Sequence, residues 1–267
     1  MLNRIFLVFI VMAGCNSPNA RYEADFSSGK IYEVTQPKTE TYPEWFWNMP
    51  YSDNTLFAVG FSETSIYHPE SSEESAIEDG LKSLAKFLAV RIKSEDRSFT
   101  SLGMDIQDFT DDPENIAPET EEYVKENYTA IAKFVSPKNT FILLKLGRED
   151  SSKDILSSGL TGVPSRPLWV TDPPKDERYI YATGESNLYL REIDSWKKAE
   201  RNAIIALAFI VDAKVKSLIA DSEMESYNTS SISTDTELKN VQLISRWKDE
   251  KQKTCHVLVR MFLMQKI

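Results

Sequence analysis

The chain has 267 residues, 41 acidic against 31 basic side chains, and a formal net charge of −10. That balance excludes a surface built to neutralise nucleic-acid phosphates and leaves no polybasic patch for anionic lipid. Two cysteines and two histidines leave little material for a disulfide framework or a histidine-based zinc site, so no metal or other cofactor is expected.

Read from the start, Met1-Leu2-Asn3-Arg4 is basic, Ile5 to Met12 is apolar, and Ala13-Gly14 are small. This is the order of a secretory signal, and the apolar run falls short of the about 20 residues that span a bilayer. Met12-Ala13-Gly14-Cys15 resembles the bacterial lipobox, with Met where Leu is commoner. The resemblance implies that residues 1–14 are a signal peptide cleaved before Cys15. It also implies diacylglycerol on the Cys15 sulfur and an acyl chain such as palmitate on the new amine. Two or more chains hold a protein on a membrane where one binds marginally. Asn16 is compatible with sorting to the outer membrane. Residues 15–41 are polar and aperiodic, which predicts a lipidated Cys followed by a flexible tether with a reach of roughly 30 Å.

Beyond the tether a pattern occurs twice. Pro43, Trp45, Pro50 and Gly60 return as Pro167, Trp169, Pro174 and Gly184, each pair 124 residues apart. The glycines are expected to end the strands Thr55–Phe61 and Tyr179–Gly184 before a loop, where a positive φ or a close backbone approach needs Gly. Ile77, Leu81, Leu84, Leu88 and Ile92 then form one apolar helical stripe, with Ser71 to Ser75 supplying N-cap candidates and acids. Ile204, Leu207, Val211, Val215 and Leu218 form another, its first four members standing 123 residues after the last four of the first stripe and so one residue short. Each stripe is followed by two β-rich runs: residues 128–135 and 140–146 around Pro137-Lys138-Asn139, and residues 241–247 and 256–262 around a charged turn. The predicted class is α+β, with two tandem β-α-β-β modules, each a small antiparallel sheet on one long helix. Residues 42–146 and 165–267 are the expected modules, and residues 147–164 the linker.

The Pro-x-Trp segment, the apolar-Ala-x-Gly strand, the Ala-containing helix and the terminal strand pair together resemble the bacterial twenty-kilodalton surface lipoprotein family. Flagellum-associated outer-membrane lipoproteins belong to that family. The resemblance implies an α+β module and a role at the cell surface or in periplasmic assembly, with no catalytic motif to carry over. Members usually hold one module behind the lipid, and two is a departure.

Four features invite a site. Trp45 and Trp169 match in position, so packing explains them with Gly60 and Gly184 as a structural signature of the module. Trp47 has Thr171 as its counterpart, so it stands out, with Tyr51, as a candidate for exposed contact with a glycan or protein. Cys255 and His256 are adjacent on a strand, where side chains point to opposite faces, so a buried Cys is favoured over a reactive pair. Asp105 to Glu114 gathers carboxylates but lacks the Gly and terminal Glu of an EF-hand loop, and reads as a solvated insertion. No glycine-rich phosphate loop and no Gly-x-Ser-x-Gly elbow occurs. The expected function is therefore a non-catalytic scaffold or assembly factor of the envelope, anchored in the outer membrane or at the surface, with a flagellar or other complex as its context. It would meet an envelope protein or another copy of itself. A peptidoglycan-binding lipoprotein is the alternative.

Overall fold

The computed structural model describes residues 23–25, 30–32, 41–65, 67–96, 114–147, 159–223 and 232–263. Cys15 and the acidic residues 105–113 lie outside them. The chain forms two compact units, residues 1–40 and 41–267. In the first, β1 (Glu23–Asp25) pairs antiparallel with β2 (Lys30–Tyr32), so the stretch expected as a tether contains a short ladder. The β-prone Ile31 and Tyr32 follow a Ser-Ser-Gly sequence of turn type.

The second unit mixes four α-helices with small antiparallel sheets among its described residues. Tyr42–Pro43 (β3) leads into the short helix α1 (Glu44–Trp47), opened by Pro43 at φ −61°. There follow β4 (Leu56–Glu63), α2 (Pro69–Leu88) and β5 (Ala89–Asp96). Next come β6 (Glu114–Asn115), α3 (Pro118–Asn127), β7 (Tyr128–Val135) and β8 (Asn139–Leu146). The later part holds β9 (Leu160–Thr161), a 3-10 turn at Leu168–Val170, and β10 (Tyr179–Asn187). It ends with α4 (Glu192–Glu223), β11 (Ile232–Lys239), β12 (Val241–Asp249) and β13 (Thr254–Phe262).

Three of the sheets have three strands, in the orders β4-β8-β7, β10-β13-β12 and β11-β5-β6. Helix α2 packs on β4 and β8, and α4 on β10 and β13. The close packing explains both glycines of the repeated spacing in terms of distance. A Cβ on Gly60 would lie 1.8 Å from the Ala76 carbonyl oxygen, and one on Gly184 would lie 2.1 Å from that of Ala199. Both glycines stand inside their strands, which continue to Glu63 and Asn187, so the expected strand ends are corrected. The close approach of helix backbone, and not a turn, is what demands Gly here.

The first helical stripe is shorter than expected. Helix α2 stops at Leu88, and Ile92 is the buried fourth residue of β5. From Ala89 the sequence alternates: Val90 and Ile92 are buried, Arg91 and Lys93 exposed, the period of a strand with one buried face. A spacing of four between Leu88 and Ile92 imitates a helix there. Strand β5 pairs with β11 from Ala89↔Lys239 to Ile232↔Asp96 and also with β6. On its exposed side Arg91 grips Asp235 through both oxygens, at 2.6 and 2.8 Å. That paired guanidinium holds the Asp235 carboxyl below the usual carboxylate range.

Candidate functional site

The segment 42–50 lies at the centre of the unit. Tyr42, Trp45, Phe46, Trp47 and Met49 are all buried in one core with residues of the β4-β8-β7 and β10-β13-β12 sheets. Phe46 meets Phe61, Phe141 and Trp196 edge-on at ring separations of 6.3, 5.4 and 5.4 Å. Trp47 is 1% exposed, is flanked by Tyr42 and Trp196, and its indole N–H donates to the Thr161 carbonyl at 3.4 Å. The expectation that Trp47 is an exposed contact residue is therefore corrected. Its lack of a counterpart reflects what it packs against: α4 covers Trp47, while Thr171 is exposed. Trp45 is buried as expected, and Trp169 is half-buried in the 3-10 turn.

Tyr51 is 62% exposed, so it and Trp47 do not share one open groove. Tyr51 belongs instead to a surface cluster with Arg260 at its centre. The Arg260 guanidinium lies 4.6 Å from the Tyr51 ring and 4.0 Å from the Tyr179 ring, and its Nε donates to Gln242 Oε1 at 2.8 Å. Gln242 in turn donates to the Ser52 carbonyl, and the Tyr179 hydroxyl donates to Asp53 at 2.5 Å. That bond to Asp53 holds the Tyr179 phenol above its ordinary value. Phe262, half exposed, meets Tyr179 edge-on at 5.5 Å. Strand β10 supplies Tyr179, β13 supplies Arg260 and Phe262, and the loop after α1 supplies Tyr51. Tyrosine and arginine of this kind, held rigid by one another, are the side chains that carry protein contacts.

A buried ion pair escaped the sequence reading. Arg246 on β12 is 1% exposed and its Nη2 stands 3.6 Å from Oε2 of Glu200 on α4, itself 5% exposed. Its Nη1 donates to the Phe46 carbonyl at 3.2 Å, and the guanidinium lies 5.1 Å from the Phe46 ring. Burial raises the Glu200 carboxyl above its ordinary value, with Arg246 opposing, and lowers Arg246 to about 10 with Glu200 opposing. The legible signal was position: Trp196, Glu200 and Ile204 stand four apart on one helix face, so Glu200 interrupts an apolar stripe. Facing rings and backbone, the pair ties α4 to β12 and α1.

The remaining candidates are Cys255, His256 and a polar groove. Cys255 is buried and its thiol is pushed up to about 12, chiefly by burial. His256 stacks on Trp247 at 5.3 Å and its Nε2 meets the Thr254 hydroxyl at 2.9 Å. A polar groove of about 770 Å³ opens between β4, α2 and the start of α4, lined by hydroxyl residues with Glu78, Lys82 and Arg191. Several of those hydroxyls bond internally: Ser62 donates to the Ser72 carbonyl, and the Ser72 hydroxyl accepts the Ser65 N–H at 2.7 Å. Among the described residues no group of three or more Cys, His, Asp or Glu is placed to hold a metal ion. No helix there is long and apolar enough to cross a membrane. Compared with models of known protein families, with curated proteins and with solved structures, the chain matches none.

Proposed function

We propose that the protein is a lipid-anchored scaffold of the bacterial envelope, held at the outer membrane or cell surface through Cys15 and built from two tandem copies of one β-α-β-β module. The observation that carries the duplication is a matched irregularity. Strand β7 skips a residue against β8 between Ala130 and Ala132, and β12 skips one against β13 between Leu243 and Ser245. A β-bulge is a particular local feature that chance does not readily place twice in the same register. Other matches support the reading. Gly60 and Gly184 receive the helix backbone in the same way. The Ser195 hydroxyl accepts the Tyr189 N–H at 2.7 Å just as Ser72 serves Ser65. The residue missing from the second copy then falls in the loop between these paired positions, where deletion is tolerated.

A scaffold role fits this economy. The repeated residues are consumed in packing, and the exposed aromatic rings of Tyr51 and Phe262, set around buried Arg260, suit contact with a protein partner. The lipobox-like Met12-Ala13-Gly14-Cys15 supports the anchor. Two experiments test the reading. Cys15→Ala should move the protein from the membrane to the soluble fraction, and an unchanged membrane pool would remove the anchor. Cross-linking in the native envelope should then join the exposed face around Tyr51 to a protein, with Tyr51→Ala weakening the product.

The glycan-binding alternative keeps one supporting observation, the exposed ring of Tyr51. Saturable retention on purified peptidoglycan, lost in Tyr51→Ala, would favour it over the scaffold.

A further inference from the structure

We propose that the free edge of β7 takes up an extended, basic segment of a partner protein as an added antiparallel strand. The inference rests on the scaffold reading and names where and how a partner docks. β7 closes the order β4-β8-β7 and pairs with β8 alone, so its outer backbone groups have no ladder partner among the described residues. Its sequence, Tyr-Thr-Ala-Ile-Ala-Lys-Phe-Val, holds no proline and a single charge, Lys133, which is bonded to Glu73. Edge strands are ordinarily protected by charges, proline or a cover, and among the described residues β7 has only the bulge and the Glu73-bonded Lys133. Thr129, Ala130 and Val135 are exposed along it.

The molecule also displays what such an edge accepts. The corresponding edge strand, β12, is covered. Met49 N–H donates to the Ile244 carbonyl at 3.0 Å, the Ser245 hydroxyl donates to the Trp47 carbonyl at 3.0 Å, and Arg246 reaches the Phe46 carbonyl. A peptide segment thus lies along β12 at its bulge, and β12 is largely buried where β7 is not. On β7 the matching positions, Ile131, Ala132 and Lys133, have no such strand-side cover among the described residues.

Charge selects the occupant. Helix α3 runs directly into β7 and carries Glu119, Glu121, Glu122 and Glu126 against Lys125. An antiparallel strand arriving on β7 would have its C-terminal end beside α3, so basic residues there are favoured. A second copy of this chain fits poorly. It is acidic overall, and its own matching segment, 167–174, has Pro173 where Met49 supplies the N–H.

The test uses the full-length chain and three probes of about eight residues, the length of β7. One alternates Val and Lys, one alternates Val and Glu, and the third is the Val/Lys peptide N-methylated along one edge. The Val/Lys peptide should bind at least about tenfold tighter than the Val/Glu peptide by fluorescence anisotropy, with salt weakening it. N-methylation, which preserves charge but removes strand donors, should abolish binding. Hydrogen exchange should slow across Tyr128–Val135 and not across β12. Absence of binding, equal binding of the N-methylated peptide, or protection elsewhere would overturn the proposal. So would β7 amides already protected in the free protein in a concentration-dependent way, which would place a second copy on the edge. A chain that fails these tests yet still cross-links to an envelope protein would lose the edge while the scaffold reading stands.

Discussion

At the scale of single residues the matched glycines give the sharpest expectation. Neither has room for a methyl group, because the atom it would meet is helix backbone. Gly60→Ala and Gly184→Ala should each cost about 3 kcal/mol, as overpacking does at its upper range. Denaturant unfolding would show the midpoint falling with an unchanged slope. His256 gives an expectation in pH. Burial lowers its imidazole below the ordinary 6.5, with Glu185 opposing. The folded state therefore prefers neutral His256, so its contribution is complete above the unfolded value and is lost as pH falls through it. The difference in unfolding free energy between the protein and His256→Gln should shrink on acidification below about 6.5, by at most about 1.4 kcal/mol per pH unit. Taking the difference removes Glu200, whose raised carboxyl works in the opposite sense. Residue identities were partly legible in the sequence: fixed spacing exposed Gly60 and Gly184. The fate of Trp47 was hidden, because the helix that buries it is distant in the chain.

At the scale of elements, periodicity found the helices and terminal strands but misplaced where α2 ends. Leu88 and Ile92 satisfy both a helical face and the start of an alternating strand, and only pairing with β11 decides between them. That pairing joins residues 136 to 150 apart, and the Arg91–Asp235 bridge residues 144 apart, so no local pattern could announce it. The link between α4 and β12 is likewise non-local and can be measured. Glu200→Gln or Arg246→Met alone should cost about 3–5 kcal/mol by leaving a buried group without its partner. The two together should cost much less than the sum, a coupling that a double-mutant cycle reads directly. Additive losses would mean the pair contributes no mutual stabilisation.

At the scale of the whole molecule, the proposed repeat has an asymmetry. Positions that meet across the centre, Phe61, Trp196 and Arg246, have Glu185, Glu73 and Lys133 as their counterparts, Glu185 and Lys133 exposed and Glu73 partly so. Repeat arrays need polar outer faces on their terminal units, and these substitutions supply them. The interface inside the chain should therefore not propagate from copy to copy. Light scattering of the Cys15→Ala chain should give no concentration-dependent ladder of linear oligomers, and such a ladder would contradict the capped reading. Function was less legible than fold for a physical reason: a docking surface is defined by what is left uncovered, and coverage is decided by tertiary packing.

The β5–β11 ladder also sets an order of events during synthesis. Val90 and Ile92 leave the ribosome early, yet the strand that completes their sheet is made near the chain's end. Until then the first half carries an unsatisfied apolar ribbon, and closing so long a loop is slow. Such a half-made chain is the kind of species that aggregates unless something holds it. The protein's most exposed moment thus comes before it is finished, and a chain cut between β5 and β11 would lack the strand needed to complete that sheet.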